Sequence, residues 1–84
     1  MVYEYFPKGV CSIKMILEVE DDIIQSVKVI GGCHGNLQGI SALVKGMKVD
    51  EAIKRLKGIE CGNKGTSCPD QLAIALEEMK EKNK

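Results

Sequence analysis

Two segments that alternate apolar and polar residues, separated by three acids, restrict this chain to a small set of folds. From residue 11 to 19, Cys11, Ile13, Met15, Leu17 and Val19 share one parity and Ser12, Lys14, Ile16 and Glu18 the other. This is the period-2 pattern of a half-buried strand. Residues 24–33 repeat it, with Val27, Val29, Gly31 and Cys33 on one parity and Ser26, Lys28, Ile30 and Gly32 on the other. Glu20-Asp21-Asp22 resists burial, so the two segments read as an antiparallel hairpin. A register opposing Leu17 to Val27, Met15 to Val29, Ile13 to Gly31 and Cys11 to Cys33 puts both apolar sets on one face, whereas a one-residue slip would turn one set outward. Cys11 and Cys33 are thereby expected as neighbours on the core side of the hairpin's open end.

Upstream, Val2 to Phe6 is rich in strand formers, and Pro7-Lys8-Gly9-Val10 reads as a tight turn. The expected fold class is α+β: a three-stranded antiparallel meander, about residues 2–6, 11–19 and 24–33, that needs a cover for its apolar face. The cover is expected to be helical. Asn36 can cap a helix over about 36–45 carrying Leu37, Ile40, Leu43 and Val44 and ending at Gly46; Gly39 inside it marks either close backbone approach or a shorter helix. A second helix, about 49–57, presents Ala52, Ile53 and Leu56 before Gly58. A loop with Gly62, Asn63 and Gly65 lies between Cys61 and Cys68. Ser67 then caps a third helix over about 68–81, with Pro69 in its first turn, Asp70 favourable to its dipole, and Leu72, Ala75, Leu76 and Met79 on its apolar side. One domain spanning residues 1–84 is expected.

The cysteines matter because the chain is short. A domain of 84 residues buries only about 60% of the surface that its unfolded form exposes. A core of that size rarely supplies more than about 3–5 kcal/mol without disulfides, metal or a partner. Its 12 basic and 12 acidic residues cancel, with 3 against 5 before Gly35 and 9 against 7 after it. That leaves no basic field for phosphate backbones, so nucleic-acid binding is not expected. No apolar run approaches the roughly 20 residues of a membrane span, and the acid in Met1-Val2-Tyr3-Glu4-Tyr5 does not suit a signal peptide, so a cytoplasmic location is expected. Cytosolic thiols are normally kept reduced, which favours metal or redox chemistry over a disulfide framework.

The cysteines are separated by 22, 28 and 7 residues, and no C-x-x-C occurs. Placement says more than spacing: two cysteines sit at a hairpin end and two flank a loop at a helix start. If loop and hairpin end pack together, four sulfurs converge, an arrangement that suits zinc and also an iron–sulfur cluster. A working Cys61–Cys68 dithiol and four inert or disulfide-bonded cysteines are the alternatives. Cys68, beside the unpaired N–H groups of a helix start, suits a ligand or a nucleophile equally. His34 reads as a solvated residue of a polar turn, Gly31-Gly32-Cys33-His34-Gly35 lacks the spacing of a phosphate cradle, and no catalytic triad is identifiable.

Thr66-Ser67-Cys68-Pro69-Asp70 spells the motif for which the TSCPD domain is named. The chain resembles that family over nearly its whole length, through Cys11-Ser12, Gly31-Gly32-Cys33, Leu37 to Gly46, Val49 to Leu56 and Cys61. Larger members carry this domain near the carboxyl end of ribonucleotide reductases, chiefly the adenosylcobalamin-dependent class. The resemblance implies a metal held by Cys11, Cys33, Cys61 and Cys68, zinc being expected, with a ribonucleotide reductase or another protein as partner. Reductase activity is not carried over, because the chain has no room for the catalytic barrel. A fainter similarity to iron–sulfur scaffold proteins rests on Gly32-Cys33, Val44-Lys45-Gly46, Val49-Asp50-Glu51-Ala52 and a late cysteine.

Overall fold

Strand β1 (Val2–Tyr5), β2 (Ser12–Glu20) and β3 (Ile23–Gly31) form one antiparallel sheet in the order β1-β2-β3, followed by helices α1 (His34–Val44), α2 (Val49–Leu56) and α3 (Cys68–Lys82). The fold is therefore α+β, as the alternation predicts. A computed structural model describes residues 1–32, 34–59 and 65–82, the side chains of 34–36 apart.

The acids between β2 and β3 make a two-residue turn in which Asp21 (φ 52°) and Asp22 (φ 66°) both take left-handed conformations. Positive φ at both central residues lets the turn follow the right-handed twist of the strands, and aspartate tolerates it better than most side chains. From there the expected register holds through the middle of the hairpin: Glu18 opposes Ser26, Leu17 opposes Val27, Met15 opposes Val29 and Lys14 opposes Ile30. Met15, Leu17 and Val27 are buried.

The ladder departs from that register at both ends. Near the turn Val19 opposes Ile24, which leaves Gln25 as an extra residue and turns both apolar side chains into the core. At the open end Gly31 opposes Ser12 and not Ile13, so Ile13 is the extra residue of a bulge. A bulge sets two residues against one and reverses parity beyond it. Ser12 is consequently buried (4% exposed) and Ile13 points out (65% exposed). Cys11, expected on the core side, is exposed as well. Glycine at 31 makes this possible: it has φ +80°, and a Cβ there would stand 3.0 Å from the Ile13 side chain. The expected pairing of Cys11 with Cys33 lies outside the described residues.

The β1–β2 connection is wider than a tight turn. Pairing stops at Tyr5 opposite Met15, and Ser12–Lys14 run on beyond β1. Lys8 is held over toward α3, its backbone N–H donating to Gln71 Oε1 at 3.0 Å, and this contact draws the connection out.

All three helices lie on the face that carries Met15 and Leu17. Leu72, Ala75, Leu76 and Met79 of α3 are buried in the core, as their spacing predicts. Leu37 and Val44 of α1 are buried and Ile40 packs beside them, but Leu43 is 75% exposed. At 100° per residue Leu43 falls about 100° off the stripe centred on Leu37, Ile40 and Val44. Helix α1 also begins at His34, so Asn36 lies inside the first turn and is not its cap. Gly46 (φ +86°) ends it as expected. Residues 46–49 then run beside the start of β3: Gly46 N–H donates to Ile24 O, Ile24 N–H to Met47 O and Val49 N–H to Asp22 O, at 2.8, 2.9 and 2.9 Å. Val49 and Ala52 of α2 are buried, and Lys57–Glu77 (2.9 Å) and Lys80–Asp50 ion pairs join α2 to α3. Among the described residues no helix is long and apolar enough to cross a membrane.

Gly39 neither breaks α1 nor admits a close neighbour, since nothing stands within 4 Å of a Cβ placed there. Glycine inside a helix costs about 1 kcal/mol relative to alanine. Gly39→Ala is therefore expected to raise stability by up to about 1 kcal/mol, measured as a higher urea midpoint at unchanged slope. A lower midpoint would show that the helix is not formed through Gly39.

Candidate functional site

The five residues from Thr66 to Asp70 are bound up in hydrogen bonds from their first side chain to their last. Ser67 is the cap of α3: its Oγ accepts from the Asp70 N–H at 3.1 Å, its hydroxyl donates to Ile59 O at 2.6 Å, and its carbonyl accepts the first helical bond, from Gln71 N–H at 2.8 Å. Proline is tolerated at 69 because an N–H in the first turn of a helix has no intrahelical acceptor. Cys68 stands at the first helical position and is half-buried.

Asp70 does more than favour the helix dipole. It is buried (8% exposed), with Oδ1 accepting the Gly58 N–H at 2.7 Å and Oδ2 the Thr66 hydroxyl at 2.6 Å. The Thr66 hydrogen bond first and the Gly58 N–H second hold its carboxyl below the usual aspartate range, outweighing the opposing effect of burial, with Lys57 adding a smaller attraction. Gln71 continues the chain. Its Oε1 accepts from the Tyr5 hydroxyl (2.9 Å) and the Lys8 N–H (3.0 Å), and its Nε2 donates to Thr66 Oγ1 (3.0 Å). A backbone N–H can only donate, so the orientation of the Gln71 amide is settled, and every proton in the chain points toward Asp70. Burial, then the Glu78 carboxylate, push the Tyr5 phenol up, which keeps it a donor. Among the described residues no buried side-chain nitrogen or oxygen lacks a partner. The end of α2, the start of α3, β1 and the β1–β2 connection are thus tied together beside Cys68.

The bulge brings β2 to the same place. Ser12 Oγ lies 3.4 Å from Cys68 Sγ. Its neighbour Cys11 is exposed, and its Sγ would stand 3.3 Å from a Cβ on Gly32. Gly32 (φ +81°) is required on two grounds, its conformation and this space, which it also leaves for Ser12 N and the Leu37 side chain. Cys11 and Cys68, distant in sequence, are brought to one end of the sheet, the first as the chain neighbour of Ser12 and the second in contact with its hydroxyl. Cys33 and Cys61 lie outside the described residues, as does the side chain of His34. Among the described residues no group of three or more histidines, cysteines or acids is placed to hold a metal.

Sequence reasoning missed Ser12, which strict alternation assigns to the outer face, and the tertiary contacts of Thr66, Asp70 and Gln71. Two consecutive glycines at the end of β3, where a regular ladder has little use for them, are the signal that could have exposed the bulge.

Comparison with proteins of curated function and with solved structures gives no match. The TSCPD domain family matches residues 1–80, which takes in both described cysteines, the bulge and the whole hydrogen-bonded pentapeptide, and the chain belongs to that family.

Proposed function

We propose that the protein is a small metal-binding module in which Cys11, Cys33, Cys61 and Cys68 hold one zinc ion, serving a protein partner such as a ribonucleotide reductase and catalysing nothing itself. The observation that carries this is the meeting of β2 and α3 at Ser12 and Cys68, 3.4 Å apart, with Cys11 alongside. In sequence, the other two cysteines adjoin described residues of the same region: Cys33 follows Gly32, where a Cβ would stand 3.3 Å from Cys11 Sγ, and Cys61 is two residues from Ile59, whose carbonyl accepts the Ser67 hydroxyl.

The donor set fits zinc. Four thiolates satisfy a tetrahedral, closed site of the structural kind, and glycines at 31 and 32 leave room around sulfur. The metal would join the hairpin end, the α2–α3 connection and α3, so that its binding free energy becomes folding free energy. The exposure of Cys11 favours a second reading, an iron–sulfur cluster handled for a partner enzyme, since a ligand at the surface is open to exchange.

Metal analysis and visible spectra of protein purified without air test both. One zinc per chain, a colourless solution and protection of all four cysteines from alkylation are expected. Iron with visible absorbance would establish the second reading. Metal-free protein in which zinc protects no cysteine, or only Cys61 and Cys68, would overturn the four-cysteine centre.

A further inference from the structure

We infer that Ser12 is a positioning residue of the cysteine centre, its hydroxyl donating to the Cys68 sulfur; this rests on the metal-binding reading above. Ser12 is buried (4% exposed) in a strand whose other inward residues, Met15, Leu17 and Val19, are all apolar. A hydroxyl placed there loses water and needs a partner. The partner is Cys68 Sγ at 3.4 Å. A thiolate ligand can only accept, so in the loaded centre the proton belongs to Ser12. Four thiolates around one dication leave an excess of negative charge, and a fixed O–H dipole on one sulfur offsets part of it while fixing the direction in which that sulfur points.

The geometry shows that the placement depends on several residues. The bulge at Ile13 is what turns Ser12 inward, Gly31 accommodates the bulge, and Gly32 leaves space for both the Ser12 backbone and the Cys11 sulfur. Ser12 thus has its hydroxyl on one candidate ligand and is bonded through the chain to another. Alanine would fill the same space without offering the hydrogen bond.

The full chain is tested by competition for zinc against a chromophoric chelator and by the sulfur-to-cobalt charge-transfer absorbance of cobalt-loaded protein, for Ser12→Ala, Ser12→Thr and Ser41→Ala. Ser41 is the control for loss of a hydroxyl, because its own donates to Leu37 O at 2.8 Å within α1. Ser12→Ala is expected to weaken zinc binding about 10–100-fold and to shift the charge-transfer band, with all four cysteines still protected. Ser12→Thr, which keeps the hydroxyl, and Ser41→Ala are expected to retain the wild-type band. Wild-type affinity and an unchanged band in Ser12→Ala would overturn the inference while leaving the zinc centre standing, as would an equal loss in the threonine variant. A wild-type chain that binds neither zinc nor cobalt would overturn the metal centre itself and the role of Ser12 with it.

Discussion

Serine in place of Cys11, Cys33, Cys61 or Cys68 is expected to abolish stoichiometric zinc binding, and each replacement to destabilise the zinc-loaded protein by several kcal/mol. The effect is large because native stabilities of small domains are themselves only about 5–15 kcal/mol. A metal bound only by the folded chain adds its whole binding free energy to that margin. Thermal unfolding of wild type before and after exhaustive chelation should reproduce the loss, and alanine at His34 should leave it untouched. An unchanged melting temperature after removal of bound zinc would show that the metal does not hold the fold together.

Asp70→Ala is the second severe change, and it needs no metal to act. It leaves the Gly58 N–H and the Thr66 hydroxyl without their acceptor at a buried position. Each unsatisfied buried group costs about 1–3 kcal/mol, so a loss of about 2–5 kcal/mol is expected, read from the urea midpoint of metal-free protein. The same residue predicts a pH dependence. Its folded-state carboxyl is held below the ordinary value of 3.8. The stabilisation is therefore fully present above about that pH and is lost as pH falls through the lower folded-state value. Asp70→Asn should flatten that acid limb relative to wild type. Equal midpoints for wild type and Asp70→Ala would remove the hydrogen-bonded chain from any account of the fold.

Periodicity carried the fold far. Alternation located the hairpin and the central register from Lys14 opposite Ile30 to Glu18 opposite Ser26, and helical spacing located the buried face of α3. Ser67 could be read as a cap because capping is a local matter of four residues. What local pattern cannot express is a change of phase. One extra residue at Ile13 reverses the parity of everything beyond it, so strict alternation puts Cys11 and Ile13 inward and Ser12 outward, whereas Ser12 is the buried one. Leu43 failed for a related reason: being apolar and near the stripe does not put a residue on it. Asp70 could be placed on its helix from sequence, but its bond to Gly58 depends on how α2 and α3 pack, and no spacing within either segment encodes that.

The bulge also governs how the hairpin tolerates changes in chain length. Ser12 already faces Gly31 and Lys14 already faces Ile30, so deletion of Ile13 would close the ladder without moving either partner. Ser12 would stay inward and Cys11 outward. Deletion of Ile16, in the regular part of β2, would instead reverse the faces of every residue on one side of the cut, exposing Met15 or Leu17 and burying a charged neighbour. Insertions and deletions in β2 are thus confined to one position beside the cysteines, where the strand can gain or lose a residue while the sheet beneath it keeps its register.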